Sequence, residues 1–178
     1  TKINAEQFEA FASLNYPPLA ESGVHLHFNY DLLLKPPTKN KKLIVRKSLS
    51  NNIVVLKLFP GITEEVVKSI VNIKDLKGIV LESYGSGNAP TYKWFIDLLE
   101  TAIKNGIQIV NVTQCVGGSV ILGHYETSVD LKRIQVIDGK DITTESAVAK
   151  LMYLLGVKIP NKNFKKIFEK PLRGEIDF

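Results

Sequence analysis

Cysteine is almost absent: Cys115 stands alone in 178 residues, so no disulfide can close within the chain. That usage leans towards a reducing compartment. Histidine is scarce too, and none of the three joins Cys115 at a metal-ligand spacing. His25 and His27 fall on one face of an alternating stretch, but nothing beside them completes a set, so no metal is expected. No apolar run approaches the roughly 20 residues of a membrane-crossing helix, so no membrane partner is expected. Glycine-rich turns are present, yet none is followed by Gly-Lys-Ser/Thr, which excludes a Walker phosphate loop. The third glycine of a dinucleotide fingerprint is also missing, and no cofactor is expected. Internal repeats and low-complexity tracts are lacking.

What is there suits a globular fold. Apolar residues make up 44% and charged residues 23%, and the length allows one full core with part of a second domain. The net charge of +5 is concentrated in Lys39–Lys47 and Lys158–Lys170. No aromatic residues interleave with the first cluster, and the second reads as one wet helix face, so nucleic acid is not expected as a partner. Thr1 stands where a start methionine would, and the chain is expected to be a piece of something longer.

Taken in order, residues 1–23 have a short helical or irregular character, with Phe8, Phe11 and Leu14 at helical spacing. Asn15-Tyr16-Pro17-Pro18 stops any helix. Val24–Leu34 alternates as a strand does. Residues 35–50, polar and proline-bearing at their start, read as a linker between a domain end at 1–34 and an α/β domain over 51–178. From there strands and helices alternate. Strands are expected at Ile53–Phe59, Ile79–Leu81 and Ile107–Val112. One helix is capped by Thr63 and another starts near Pro90 and ends at Gly106. A short helical piece surrounds Val129–Ile134. A helix capped by Thr143 stops at Gly156, with Met152 as core filling, and a last helix holds Phe164, Ile167 and Phe168. The expected fold class is α/β: a three-layer parallel sheet with helices on both faces, flavodoxin-like.

The turn Ser83–Pro90 follows a strand and precedes a helix, carries Gly85 and Gly87, and presents Asn88, whose amide both donates and accepts. A second turn rich in small and polar residues, Thr113–Ser119, follows the next strand. Right-handed crossovers place both turns at one edge of the sheet, where ligands bind in open α/β folds. On spacing alone, such a turn also fits a mere packing solution, and Asn88 a helix cap.

Six stretches, in this order, carry a family likeness. They are Phe11-Ala-Ser-Leu-Asn-Tyr-Pro-Pro-Leu-Ala20, Lys57-Leu-Phe-Pro-Gly-Ile62, Tyr84-Gly-Ser-Gly-Asn-Ala-Pro90, Asn111-Val-Thr-Gln-Cys115, Gly139-Lys-Asp-Ile-Thr-Thr-Glu145 and Leu172-Arg-Gly-Glu175. Together they resemble the L-asparaginases, in their cytoplasmic bacterial (type I) branch. The resemblance implies the end of an N-terminal domain, a linker and a whole C-terminal α/β domain. It implies hydrolysis of L-asparagine to L-aspartate and ammonia in the cytoplasm by a homo-oligomer, with a threonine nucleophile upstream of Thr1. No catalytic residue is therefore assigned within these 178 residues, and the piece alone is expected to be inactive. By the same resemblance, Asn88 and Tyr125 reach the active site of a neighbouring subunit and bind substrate. Without it, Tyr125 reads as a half-buried core tyrosine. Some members carry a regulatory asparagine site, whose positions here fall on Glu82, Thr113 and Cys115. The family's arginine is replaced by Glu82, which cannot pair with an effector carboxylate as a guanidinium does. Weak or absent cooperativity is expected, with Cys115 a small buried residue.

Two other readings stand beside this one. The chain reads also as a non-enzymatic, flavodoxin-like module holding an amino acid or anion at the two turns. A third reading is an asparaginase-like domain of a tRNA-dependent amidotransferase.

Overall fold

The protein is described here from a computed structural model, over residues 1–37, 42–124 and 126–176, with the side chains of Glu126 and Thr127 left aside. Its centre is a four-stranded parallel sheet made of β3 (Ile53–Lys57), β4 (Gly78–Ser83), β5 (Gln108–Thr113) and β6 (Ile137–Asp138). The strands lie side by side in the order in which the chain makes them. In register, Val54, Val55 and Leu56 sit opposite Ile79, Val80 and Leu81, which sit opposite Ile109, Val110 and Asn111.

Alternation along the strands feeds two cores. Leu56, Ile79, Leu81 and Ile109 pack with Val67, Phe95, Leu99 and Leu131 from α1 (Glu64–Val71), α2 (Lys93–Lys104) and α3 (Glu126–Arg133). Val80, Val110, Val112 and Ile137 pack with Ala147, Leu151, Leu154, Phe164 and Phe168 from α4 (Thr144–Gly156) and α5 (Asn161–Phe168). The strand order explains the layering. Successive right-handed crossovers in one direction put α1, α2 and α3 on one face, and the other face is left for α4 and α5. This is the three-layer α/β arrangement that the alternating pattern implies.

Local chemistry sets most helix starts. The Thr63 and Thr143 hydroxyls accept from the N–H groups of Val66 and Ser146, so both expected caps are present. The helix expected to begin near Pro90 begins at Lys93, because Pro90, Thr91 and Tyr92 stay outside it and Tyr92 is its uncapped start. A missing side-chain cap costs about 1 kcal/mol. Phe95 and Leu99, both fully buried, are each worth about 1.5–3 kcal/mol, so burial decides that α2 forms.

Several sequence expectations need correction. Of the helical or irregular character expected over residues 1–23, the irregular one is observed: Phe8, Phe11 and Leu14 form no helix and all three are exposed, so their spacing had no surface to face. The strand expected over Val24–Leu34 is broken by its own turn. Ala20–Ser22 (β1) and Leu26–Phe28 (β2) pair antiparallel, and a single 3-10 turn, Tyr30–Leu32, follows. Met152 is half-buried and outside both cores. Leu154 takes the inward place. Gly156 is the last residue of α4, and its missing Cβ lets the backbone of Ser48 and Leu49 lie against it. Strand β6 was not foreseen; it pairs only Val110–Ile137 and Asn111–Asp138.

Of the stretch read as a linker, residues 38–41 lie outside the described residues. Residues 42–50 have no regular structure, and Ser50 donates to the Met152 carbonyl of α4 at 3.0 Å. Among the described residues, no helix is long and apolar enough to cross a membrane.

Candidate functional site

Parallel strands send all their outgoing loops to one edge, and the two glycine-rich turns meet there. Gln114 N–H donates to the Ser83 carbonyl at 3.0 Å, and Ile121 N–H to the Ser86 carbonyl at 3.1 Å. The expected neighbourhood of the turns is therefore observed, across a sequence gap that only the crossover closes.

The first turn is a tight loop in which Tyr84 and Asn88 exchange both backbone hydrogen bonds at 2.9 Å. Gly85 (φ +47°) and Gly87 (φ +110°) supply the positive φ that such a loop needs. Gly87 also lies close to its support: a Cβ there would stand 2.7 Å from Val120 Cγ1. Asn88 closes the loop and is half-buried. It is five residues ahead of α2, so it is not that helix's cap. The alternative reading of Asn88 as a cap is removed. Tyr125 lies outside the described residues.

Glu82, Thr113 and Cys115 come together. They line one hollow of about 260 Å³ beyond the ends of β4 and β5, with Thr1, Thr143, Thr144 and Glu145 on its other walls. That volume leaves room for several water molecules. The hollow is already internally bonded. Glu82 accepts from Lys57 Nζ at 3.0 Å and from the Thr144 hydroxyl at 2.7 Å. Lys57 is Glu82's register partner on β3, so the sheet itself delivers the cation. The Thr113 hydroxyl accepts from Cys115 N–H at 3.1 Å, which folds the start of the second turn back on the strand end. Across the hollow, the Thr1 hydroxyl donates to Glu145 at 2.5 Å. That bond, with other hydrogen bonds outweighing partial burial, holds the Glu145 carboxyl below its ordinary value.

Cys115 itself is exposed, against expectation. Its residue type favours burial, but it sits two residues past the strand, where the chain has left both cores.

Some residues at this edge escaped the sequence reading. Asn15 ties the first motif to the second turn: it donates to the carbonyls of Gly118 (2.9 Å) and Asp141 (2.6 Å) and accepts from Gly118 N–H (2.8 Å). Asn111 is fully buried beneath the first turn. A larger hollow, about 730 Å³, opens between residues 12–20, Leu32–Leu34 and the Arg173–Glu175 tail; Asn88 is not on its wall. Among the described residues, no three of His, Cys, Asp and Glu gather as a metal set.

The C-terminal motif forms a second polar cluster, on α4. Lys150 of α4, with its side chain 3% exposed, meets Glu175 at 2.5 Å, donates to the Lys170 carbonyl at 2.6 Å and lies over the Phe168 ring. Glu175 also accepts from the N–H groups of Leu172 and Arg173. Burial pushes the Lys150 ammonium below its ordinary value. Burial would raise Glu175, but the Lys150 bond and the backbone donors outweigh it and hold the carboxyl below its usual range. The cluster pins the tail to the face of α4; its geometry is that of a clasp.

The edge geometry can be set beside known proteins. Residues 52–168 match the family described as the Glutaminase/Asparaginase C-terminal domain. Over 178 residues the chain is 39% identical to L-asparaginase 1 of Escherichia coli (strain K12), covering 99% of this chain and 51% of that protein. It is 37% identical over 177 residues to the 60 kDa lysophospholipase of Mus musculus, covering 99% of this chain and 31% of that protein. The crystal structure of L-asparaginase I from Vibrio cholerae superposes with a TM-score of 0.89 at 32% identity, covering 100% of this chain and 53% of that one. The chain thus spans about half the length of the bacterial L-asparaginase that it matches. With that match lying across both turns and all four parallel strands, the chain belongs to the glutaminase/asparaginase C-terminal domain family.

Proposed function

We propose that this chain is the C-terminal part of a cytoplasmic, homo-oligomeric L-asparaginase that converts L-asparagine to L-aspartate and ammonia. The observation that carries the reading is the Tyr84–Asn88 loop, built on two positive-φ glycines and docked against the second turn, in a chain of this family. Such a loop holds one side chain in a fixed place at the sheet edge, which is what orienting a small amino acid requires. Asn88, with Tyr125, positions substrate in the active site of a neighbouring subunit. The nucleophilic threonine comes from residues outside these 178. Residues 1–34 are the end of the preceding domain and residues 35–50 the linker. Family membership favours this reading over the non-enzymatic binding module.

The regulatory site is lost in this protein. Glu82 is held by Lys57 and Thr144, so the position that would receive an effector carboxylate carries a like charge already partnered within the protein. The test uses the full-length enzyme that contains this chain. Asparagine-dependent ammonia release is expected to follow a hyperbolic saturation curve. Asn88→Ala is expected to lower kcat/KM roughly 10- to 100-fold, the scale of a lost positioning contact. Unchanged kinetics in Asn88→Ala would remove the substrate role, and a sigmoidal wild-type curve would restore the regulatory site.

A further inference from the structure

Asn111 occupies the middle of the sheet, between Leu81 on β4 and Asp138 on β6 in register. By alternation it shares a face with Ile109, and it is 0% exposed. An apolar residue would suit this place better, since asparagine is disfavoured in strands and carries four hydrogen-bonding capacities to satisfy. Its amide Nδ2 donates to the Gly87 carbonyl at 3.3 Å. That carbonyl can only accept, which fixes the nitrogen on the loop side. The other end of the amide, Oδ1, is without a hydrogen-bond partner among the described residues. A buried acceptor left unpaired is a net cost that a leucine of similar volume avoids. Packing therefore does not account for Asn111; the bond to Gly87 does.

Gly87 is the residue before Asn88. Its backbone lies so near the amide that a Cβ would stand 3.3 Å from Asn111 Nδ2. The loop is also held by its own Tyr84–Asn88 bonds, by Gly87 N–H on the Tyr84 carbonyl, by Ile121 N–H on Ser86 and by the approach of Gly87 to Val120; the Asn111 amide adds a side-chain bond from the sheet beneath. We propose that Asn111 is a positioning residue, whose buried amide sets the height of the Tyr84–Asn88 loop above the sheet and so the placement of Asn88 against substrate. This rests on the substrate role of Asn88 given above.

The experiment measures kcat and KM for asparagine in the full-length enzyme carrying Asn111→Leu, in Asn88→Ala and in the double variant. Asn111→Val, which suits a strand, is made in parallel in case the leucine does not fold. If Asn111 acts through Asn88, Asn111→Leu lowers kcat/KM roughly 10- to 100-fold alone. In the Asn88→Ala background it then costs less than about twofold more, because the group it places is already gone. A merely structural role gives the same loss in both backgrounds, and that result overturns the proposal. So does unchanged activity in the single Asn111 variants while Asn88→Ala is impaired, an outcome that leaves the role of Asn88 intact. Unchanged activity in Asn88→Ala removes both.

Discussion

The first 37 residues and the stretch from Ile53 to Ile176 are similarly supplied with large apolar side chains, and they use them differently. In the first region no residue is buried; Phe8, Phe11 and Val24 stand in the open, and β2 exposes Leu26 and Phe28. In the second, Phe95, Phe164 and Phe168 are wholly enclosed between a sheet and its helices. What differs is the partner surface. An apolar pattern becomes structure only when another apolar face meets it, and a two-stranded ribbon has none. Local bonds still shape the first region. Asn4 accepts from the N–H groups of Glu6 and Gln7, and Asn15 stitches the segment to the second turn. They set turns without creating a core.

The comparison can be broken most directly with one phenylalanine from each region. In the 178-residue chain, Phe95→Ala is expected to cost about 3–5 kcal/mol in urea unfolding, and Phe8→Ala less than about 0.5 kcal/mol. Equal effects would end the distinction. Repeating Phe8→Ala in a longer chain sharpens it, for a large cost there would mean that further residues cover the segment. A smaller effect is expected at the clasp on the tail. Lys150→Met should cost about 2–3 kcal/mol, below the range for a fully enclosed pair, because the Leu172 and Arg173 N–H groups still hold Glu175. The smallest effect is in pH. The folded-state pKa of Glu175 lies below the ordinary 4.5, so between those values the unfolded chain binds more protons. The stabilisation is complete above 4.5 and is lost as pH falls through the lowered value. Wild type should therefore lose stability more steeply than Glu175→Gln between about pH 5 and pH 3. Glu145 titrates in the same direction in both proteins, so the difference between them isolates Glu175. Parallel curves would show that the carboxylate contributes nothing.

Legibility in the sequence followed the range of the interaction. Thr63 and Thr143 were readable as caps because a cap acts three residues away. The meeting of the two turns was readable because the crossover rule converts chain order into place. Asn88 and the trio Glu82, Thr113 and Cys115 were pointed out by family likeness; the last three share a hollow. The partners of those residues were hidden. Thr144 reaches Glu82 across 62 positions and Asn111 reaches Gly87 across 24, and no local pattern encodes either meeting. Strand β6 was too short to show alternation, and the exposure of Cys115 depended on where β5 ends. The helical spacing of Phe8, Phe11 and Leu14 produced no helix for the opposite reason: the period was present and the surface for it was not, which left the irregular alternative.

The unbroken succession of strands from β3 to β6 has one more consequence. Open α/β sheets hold ligands in the cleft that appears where neighbouring connections depart to opposite faces, and that needs the sheet to grow both ways from its middle. This one grows one way only, so α1, α2 and α3 crowd the same side and no such gap opens between them. Ligand space at this edge is bounded by loops instead, as in the hollow that Thr1, Thr143, Thr144 and Glu145 line beyond β4 and β5.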